Sequence, residues 1–150
     1  MSNKNQPAVA DALNALLADS FALYLKTKNY HWHVKGPSFR SLHLLFDEQA
    51  AQILATTDLI AERVRKNDAA TLRSIGDISR HQSIKDDDAA SVDAETMVRN
   101  LAADNETLLA QLKDAKTAAE ADGDIATSGL VDGWADETEQ RIWFLKATLA

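Results

Sequence analysis

Residues 43–62 read HLLFDEQAAQILATTDLIAE. The stretch has no glycine or proline and is rich in Leu, Ala, Gln and Glu, which lose little freedom in a helix, so it predicts one unbroken helix. Each residue of a helix advances about 100°, which puts His43, Asp47, Asp58 and Glu62 at roughly 0°, 40°, 60° and 100°, a narrow stripe of groups able to bind metal. They cannot share one ion. Asp47 and Asp58 are eleven residues apart, a rise of about 16 Å, whereas metal–ligand bonds are about 2 Å. The helix therefore carries two half-sites on one face, each short of ligands.

The rest of the chain fits helices around this one. It has five glycines and two prolines in 150 residues, so an all-α fold is expected. The first helix is predicted from about Pro7 to Val34, ended by Lys35-Gly36-Pro37, and Ser38 is placed to cap a second from about Phe39 to Lys66. In the second, Leu42, Phe46, Ala50, Ile53, Ile60 and Val64 form a core arc. The metal-capable stripe lies beside it, interleaved with Leu44, Ala51 and Leu54, and Glu48, Gln49, Gln52, Arg63 and Lys66 are assigned to the wet side. Residues 67–92 are too long for a tight hairpin and are expected to hold a short helix around Thr71 to His81. A third long helix runs from about Ala94 to Ala121, stopped by Gly123, and a fourth from about Asp124 to Leu149. Two helices, a long crossover and two more helices make a four-helix bundle of the one-crossover type, which includes ferritin-like folds.

At this length the chain reads as a single domain, 1–150, with residues 1–6 as a flexible tail. The absence of cysteine excludes disulfides, zinc ribbons, iron–sulfur clusters and a thiol nucleophile. MSNKNQPAVA lacks the apolar run of a signal peptide and no later segment reads as an unbroken membrane span, so a soluble, cytoplasmic protein is expected. The formal charge of −7, from 23 acids against 16 Lys and Arg, disfavours a phosphate backbone as partner unless positive charge is concentrated. The most basic stretch, Arg63, Arg65 and Lys66, closes a predicted helix, where cations offset the carbonyl dipole.

Three of the four histidines, His31, His33 and His43, cluster around the first interhelix turn. His31, near the end of the first helix, can approach His43 in the first turns of the second, and with Asp47 they supply two imidazoles and a carboxylate. Asp58 and Glu62 supply an oxygen-rich partner set. Mixed nitrogen and oxygen ligands suit Fe(II), and zinc or manganese fits them as well. The competing reading is a solvated carboxylate face, common in a chain that is 26% charged, but such a face would not need the interleaved leucines. His33 points elsewhere, and His81 has only Asp77 near it in sequence. Di-iron bundles with an internal centre use Glu-x-x-His elements, and this chain has none. Two copies of the second helix packed antiparallel about a two-fold axis would instead put the His43 end of one beside the Glu62 end of the other, completing two sites at once.

The segments YHWHVKGPSFRSLHLLFDEQ and TDLIAERVR resemble the Dps family, the miniferritins named for DNA protection in starved cells. The pattern His-x11-His-x3-Asp-x10-Asp-x3-Glu is met by His31, His43, Asp47, Asp58 and Glu62, and the resemblance extends over nearly the whole chain. It implies a twelve-subunit shell with ferroxidase centres at the two-fold interfaces, His31, His43 and Asp47 coming from one subunit and Asp58 and Glu62 from the next. It implies oxidation of Fe(II), commonly with hydrogen peroxide in preference to dioxygen, and storage of the ferric product as mineral. Trp32 matches a tryptophan beside the family's centre, where it can trap stray oxidising equivalents or serve packing.

Two positions depart from the family pattern. Members that bind DNA directly often use a lysine-rich tail, whereas the N-terminal stretch has only Lys4, which speaks against DNA binding. The aspartate that lines the three-fold pore of many members is matched here by Gly129. Asp122, Asp124 and Asp132 are the acids available for such a funnel, and as helix-terminal acids they are equally suited to be caps. The main expectation is a ferroxidase and iron-storage shell. The rival is a nucleoid-binding structural protein with secondary iron chemistry.

Overall fold

The computed structural model describes residues 6–150 as five helices: α1 (Gln6–His33), α2 (Phe39–Lys66), α3 (Ile75–His81), α4 (Ala94–Asp122) and α5 (Ile125–Leu149), with no strand among the described residues. Of the expected N-terminal tail, Gln6 opens α1, and residues 1–5 lie outside the described residues. The four long helices match their expected limits to within a residue or so. The short one starts later than expected. Thr71 Oγ1 donates to Asn14 Oδ1 (2.8 Å) and Asn14 Nδ2 donates to the Ala70 carbonyl (3.0 Å), so this stretch is held against α1, and the helix begins after Ser74, whose Oγ accepts from the Asp77 N–H.

Caps explain the other boundaries. Asp93 and Asp124 accept from the Thr96 and Thr127 N–H groups at the starts of α4 and α5, and Gly123 ends α4 at φ 71°, a left-handed conformation that suits glycine. Ser38 differs from expectation: it sits at the N-cap position of α2 but makes no side-chain cap bond. The turn is closed instead by the Phe39 N–H to the Gly36 carbonyl (3.0 Å), with Gly36 at φ 111°.

Short turns make α1/α2 and α4/α5 antiparallel pairs, and the crossover climbs along α1. The Lys26 ammonium donates to the Lys85 carbonyl (2.8 Å), Asn29 Nδ2 to the Asp87 carbonyl (2.9 Å) and the Tyr30 hydroxyl to Asp87 Oδ2 (2.5 Å). Buried Asp19 pins the middle: its carboxylate accepts from the Ser83 N–H and hydroxyl, the Ile84 N–H and Gln111 Nε2. α4 then returns antiparallel to α1, with Asn100 on the Tyr30 hydroxyl (3.0 Å) and Asp104 on Lys26 (2.9 Å).

Leu42, Phe46, Ala50, Ile53, Ile60 and Val64 of α2 are all buried, as expected of the core arc. Gln49, assigned to the wet side, is buried as well, because α5 covers that flank. Its Nε2 donates to the Arg141 carbonyl (3.3 Å). The Arg141 guanidinium lies in the same core layer, bonded to Asn105, Glu137 and Thr138, and burial pushes its pKa down to about 10. By length and composition α1 could span a membrane over Pro7–His33, contrary to the reading from sequence. In the bundle it is a core helix, with Leu13, Leu16, Leu17, Leu23 and Tyr30 buried.

Candidate metal centre

The end of α1 and the start of α2 are joined through their histidines. His31 Nδ1 donates to the His43 carbonyl (2.6 Å), and His43 Nδ1 donates to the His31 carbonyl (2.7 Å). Carbonyls only accept, so both rings must carry their proton on Nδ1, which leaves both Nε2 lone pairs available for a metal. The rings stack with centroids 3.9 Å apart at 11°. Phe39, one turn before His43, stacks on the other face of His43 at 4.9 Å and 22°. Ring orientation is therefore set by two reciprocal hydrogen bonds and a three-ring stack.

Asp47 lies one turn further along α2, half exposed, with Oδ1 3.7 Å from His31 Nε2. The same oxygen accepts from Lys28 Nζ at 2.8 Å, and this ammonium holds the carboxyl below the usual carboxylate range. The Lys28 Nζ also stands 5.8 Å from the ring centroid of Trp32, which is largely exposed. His33 faces away: its Nδ1 donates to Asn29. His81 belongs to α3 and donates to the Asp77 carbonyl.

Asp58 and Glu62 form the other half-site, exposed near the far end of α2. The hydrogen bond to Asp58, and then its charge, raise the Glu62 pKa, since a second carboxylate beside it disfavours its ionised form. A divalent ion would relieve that crowding. Among the described residues no group of three or more His, Asp and Glu side chains closes around a single point. The fold brings His31, His43 and Asp47 together and leaves Asp58 and Glu62 as a separate pair on the same face. The first set offers imidazole nitrogen and carboxylate oxygen and the second carboxylate oxygen alone, and the two taken together are the mixed kind that suits Fe(II).

The three candidate pore acids differ in their surroundings. Asp124 is the α5 cap: its carboxylate accepts from the Thr127 N–H and hydroxyl and from Asn67 Nδ2, with Arg63 at 4.0 Å. Burial pushes its carboxyl up, and the bonds from Thr127 and Asn67 together with the Arg63 charge outweigh it and leave the carboxyl below the usual range. Asp132 is mostly exposed and paired with Lys116 (2.8 Å). Asp122 is half-buried at the end of α4. Gly129 borders open space, with nothing within 4 Å of where a Cβ would stand. Sequence reading missed Lys28 and Phe39; the spacing of Phe39, four residues before His43 on one helix, was visible, whereas Lys28 meets Asp47 across two helices.

Residues 10–150 match the family described as a ferritin-like domain. The chain is similar to DNA protection during starvation protein 2 of Bacillus anthracis, 35% identical over 94% of this chain and 96% of that one. Its fold is similar to the crystal structure of a Dps protein from Bacillus brevis, with a TM-score of 0.94 and 31% identity over the full length of both chains. It is also similar to a Dps protein from Vibrio cholerae O1, described as a member of a broad superfamily of ferritin-like diiron-carboxylate proteins, with a TM-score of 0.93 and 29% identity over 100% of this chain and 98% of that one.

Proposed function

Because the chain belongs to the Dps family of ferritin-like proteins, we propose that it is a cytoplasmic ferroxidase and iron-storage miniferritin. It oxidises Fe(II), with hydrogen peroxide as the oxidant, at centres shared between subunits of a dodecameric shell, and keeps the ferric product inside. One observation carries this reading: His31 and His43 are locked through Nδ1 with both Nε2 lone pairs left over, that of His31 3.7 Å from Asp47, while Asp58 and Glu62 form a crowded carboxylate pair on the same helix face.

Iron is the substrate. Two Fe(II) ions each give one electron to a peroxide molecule, whose O–O bond breaks as two protons are taken up to form two waters. Delivering both electrons together suppresses the one-electron split that releases hydroxyl radical. The chain binds and orients: imidazoles of fixed tautomer on one side, paired carboxylates on the other.

DNA binding is disfavoured by the net charge of −7 and by the local ties of the basic stretch, where Arg63 donates to Asn67 and Arg65 to the Ala69 carbonyl. A gel-shift assay at low and moderate salt separates the two functions. The deciding test of iron chemistry is anaerobic Fe(II) titration followed by peroxide. Asp58→Asn with Glu62→Gln is expected to abolish fast oxidation and leave helicity unchanged, since no core residue is removed. Unchanged initial rates in that variant would overturn the assignment.

A further inference from the structure

Asp47 is not an open carboxylate. Lys28 projects from α1 to α2 and sets its ammonium 2.8 Å from Asp47 Oδ1, the oxygen that lies 3.7 Å from His31 Nε2. An ammonium and an imidazole nitrogen thus converge on one oxygen atom, and an ion that bridges His31 and Asp47 through that oxygen competes with the ammonium for it. The displaced group has somewhere to go, because Nζ already stands 5.8 Å from the centroid of the Trp32 ring, within range of cation–π attraction.

We propose that Lys28 is a selectivity residue, yielding Asp47 only to divalent cations that also gain from imidazole. The inference rests on the reading of His31, His43 and Asp47 as ligands. Mg²⁺ and Ca²⁺ are hard ions that prefer oxygen donors and gain little from Nε2, so taking Asp47 from Lys28 breaks an ion pair without a matching return. Fe(II), Co(II) and Zn(II) bond well to imidazole and recover that loss at His31 and His43. Lys28 therefore weakens binding of the oxygen-seeking ions, which depend on Asp47, more than that of ions held mainly by His31 and His43, and the ratio of the two affinities rises. Lysine suits this role because its ammonium is a point charge on a flexible stem, able to swing between a carboxylate and a ring face.

The test uses the assembled protein without oxidant and Co(II) as the probe, with and without excess Mg²⁺, in wild type, Lys28→Met and Lys28→Arg. Lys28→Met is expected to bind Co(II) about fivefold more tightly in the absence of Mg²⁺ and to lose that gain when Mg²⁺ is added. Wild type and Lys28→Arg should be indifferent to Mg²⁺. A merely structural lysine would leave the response to Mg²⁺ unmoved. Equal affinity in Lys28→Met, or equal indifference to Mg²⁺, overturns the inference and leaves the ligand reading standing. A parallel titration of His31→Ala with His43→Ala separates the two: if it binds Co(II) as well as wild type does, the ligand reading falls, and the role of Lys28 falls with it.

Discussion

At the residue scale the histidine pair shows how little freedom the half-site retains. One hydrogen bond at Nδ1 fixes a tautomer but still lets a ring swivel about that bond, and stacking removes the swivel. His43 is held between His31 and Phe39, so Phe39 positions the proposed ligand without being one. A stacked ring pair contributes about 0.5–1.5 kcal/mol beyond its burial, and Phe39→Leu is accordingly expected to weaken anaerobic Fe(II) binding by about two- to tenfold. Phe39→Tyr, which keeps the ring, should restore it. Equal titration curves for wild type and Phe39→Leu would show that the two Nδ1 hydrogen bonds suffice. The approach of His31 to His43 was legible because a short turn between two helices leaves little choice. Lys28 was not, since its partner lies on another helix 19 positions away and helical spacing carries no information on pairs across helices.

At the element scale the boundaries followed from local chemistry, and the exceptions came from tertiary partners. α2 ran from Phe39 to Lys66 as expected, but Gln49 proved buried because helical periodicity gives an angle around the axis, not the position of the helix that will cover it. That helix, α5, meets Gln49 through Arg141, 92 positions later. Asp124 was suited equally to a cap and to a pore, and its four polar partners make it a cap. Asp124→Ala is expected to cost about 1–2 kcal/mol of stability, so an iron-entry test belongs to Asp122 and Asp132. Exchanging those two for asparagine should slow uptake in a salt-sensitive way if they form an acidic funnel.

The crossover has its own pH dependence. The Tyr30 hydroxyl holds the Asp87 carboxyl below its usual range, and burial, then the bond to Asp87, pushes the Tyr30 phenol up. A depressed carboxyl contributes stability present above its unfolded value, about 3.9, and lost as pH falls through the folded one. A raised phenol contributes stability that is full below its unfolded value, about 10, and lost as pH rises through the folded one. The clasp is thus strongest at neutral pH, where Tyr30→Phe should cost about 1–3 kcal/mol. At strongly alkaline pH the cost should shrink. Urea unfolding at fixed protein concentration measures both, and an equal loss at the two pH values would remove ionisation from the account.

At the scale of the whole molecule the two half-sites pose a question that one chain does not answer, because Asp47 and Asp58, their nearest members along α2, stand about 16 Å of helix rise apart. Leu44, Leu54 and Leu59, interleaved with them, are each more than two-fifths exposed, an apolar face of the sort that a second copy would cover. If two copies of α2 meet antiparallel about a two-fold axis, each centre takes His31, His43 and Asp47 from one chain and Asp58 and Glu62 from the other. One variant lacking His31 and His43 and another lacking Asp58 and Glu62 should then each be inactive alone. A mixed dimer has one doubly damaged centre and one untouched centre, and with random mixing about half the dimers are mixed. Dissociating and reassembling the two variants together should therefore restore about a quarter of the wild-type centres, read as initial Fe(II) oxidation rate per subunit. Centres confined to single chains would all stay damaged, so a mixture no more active than its parents would refute sharing across the axis.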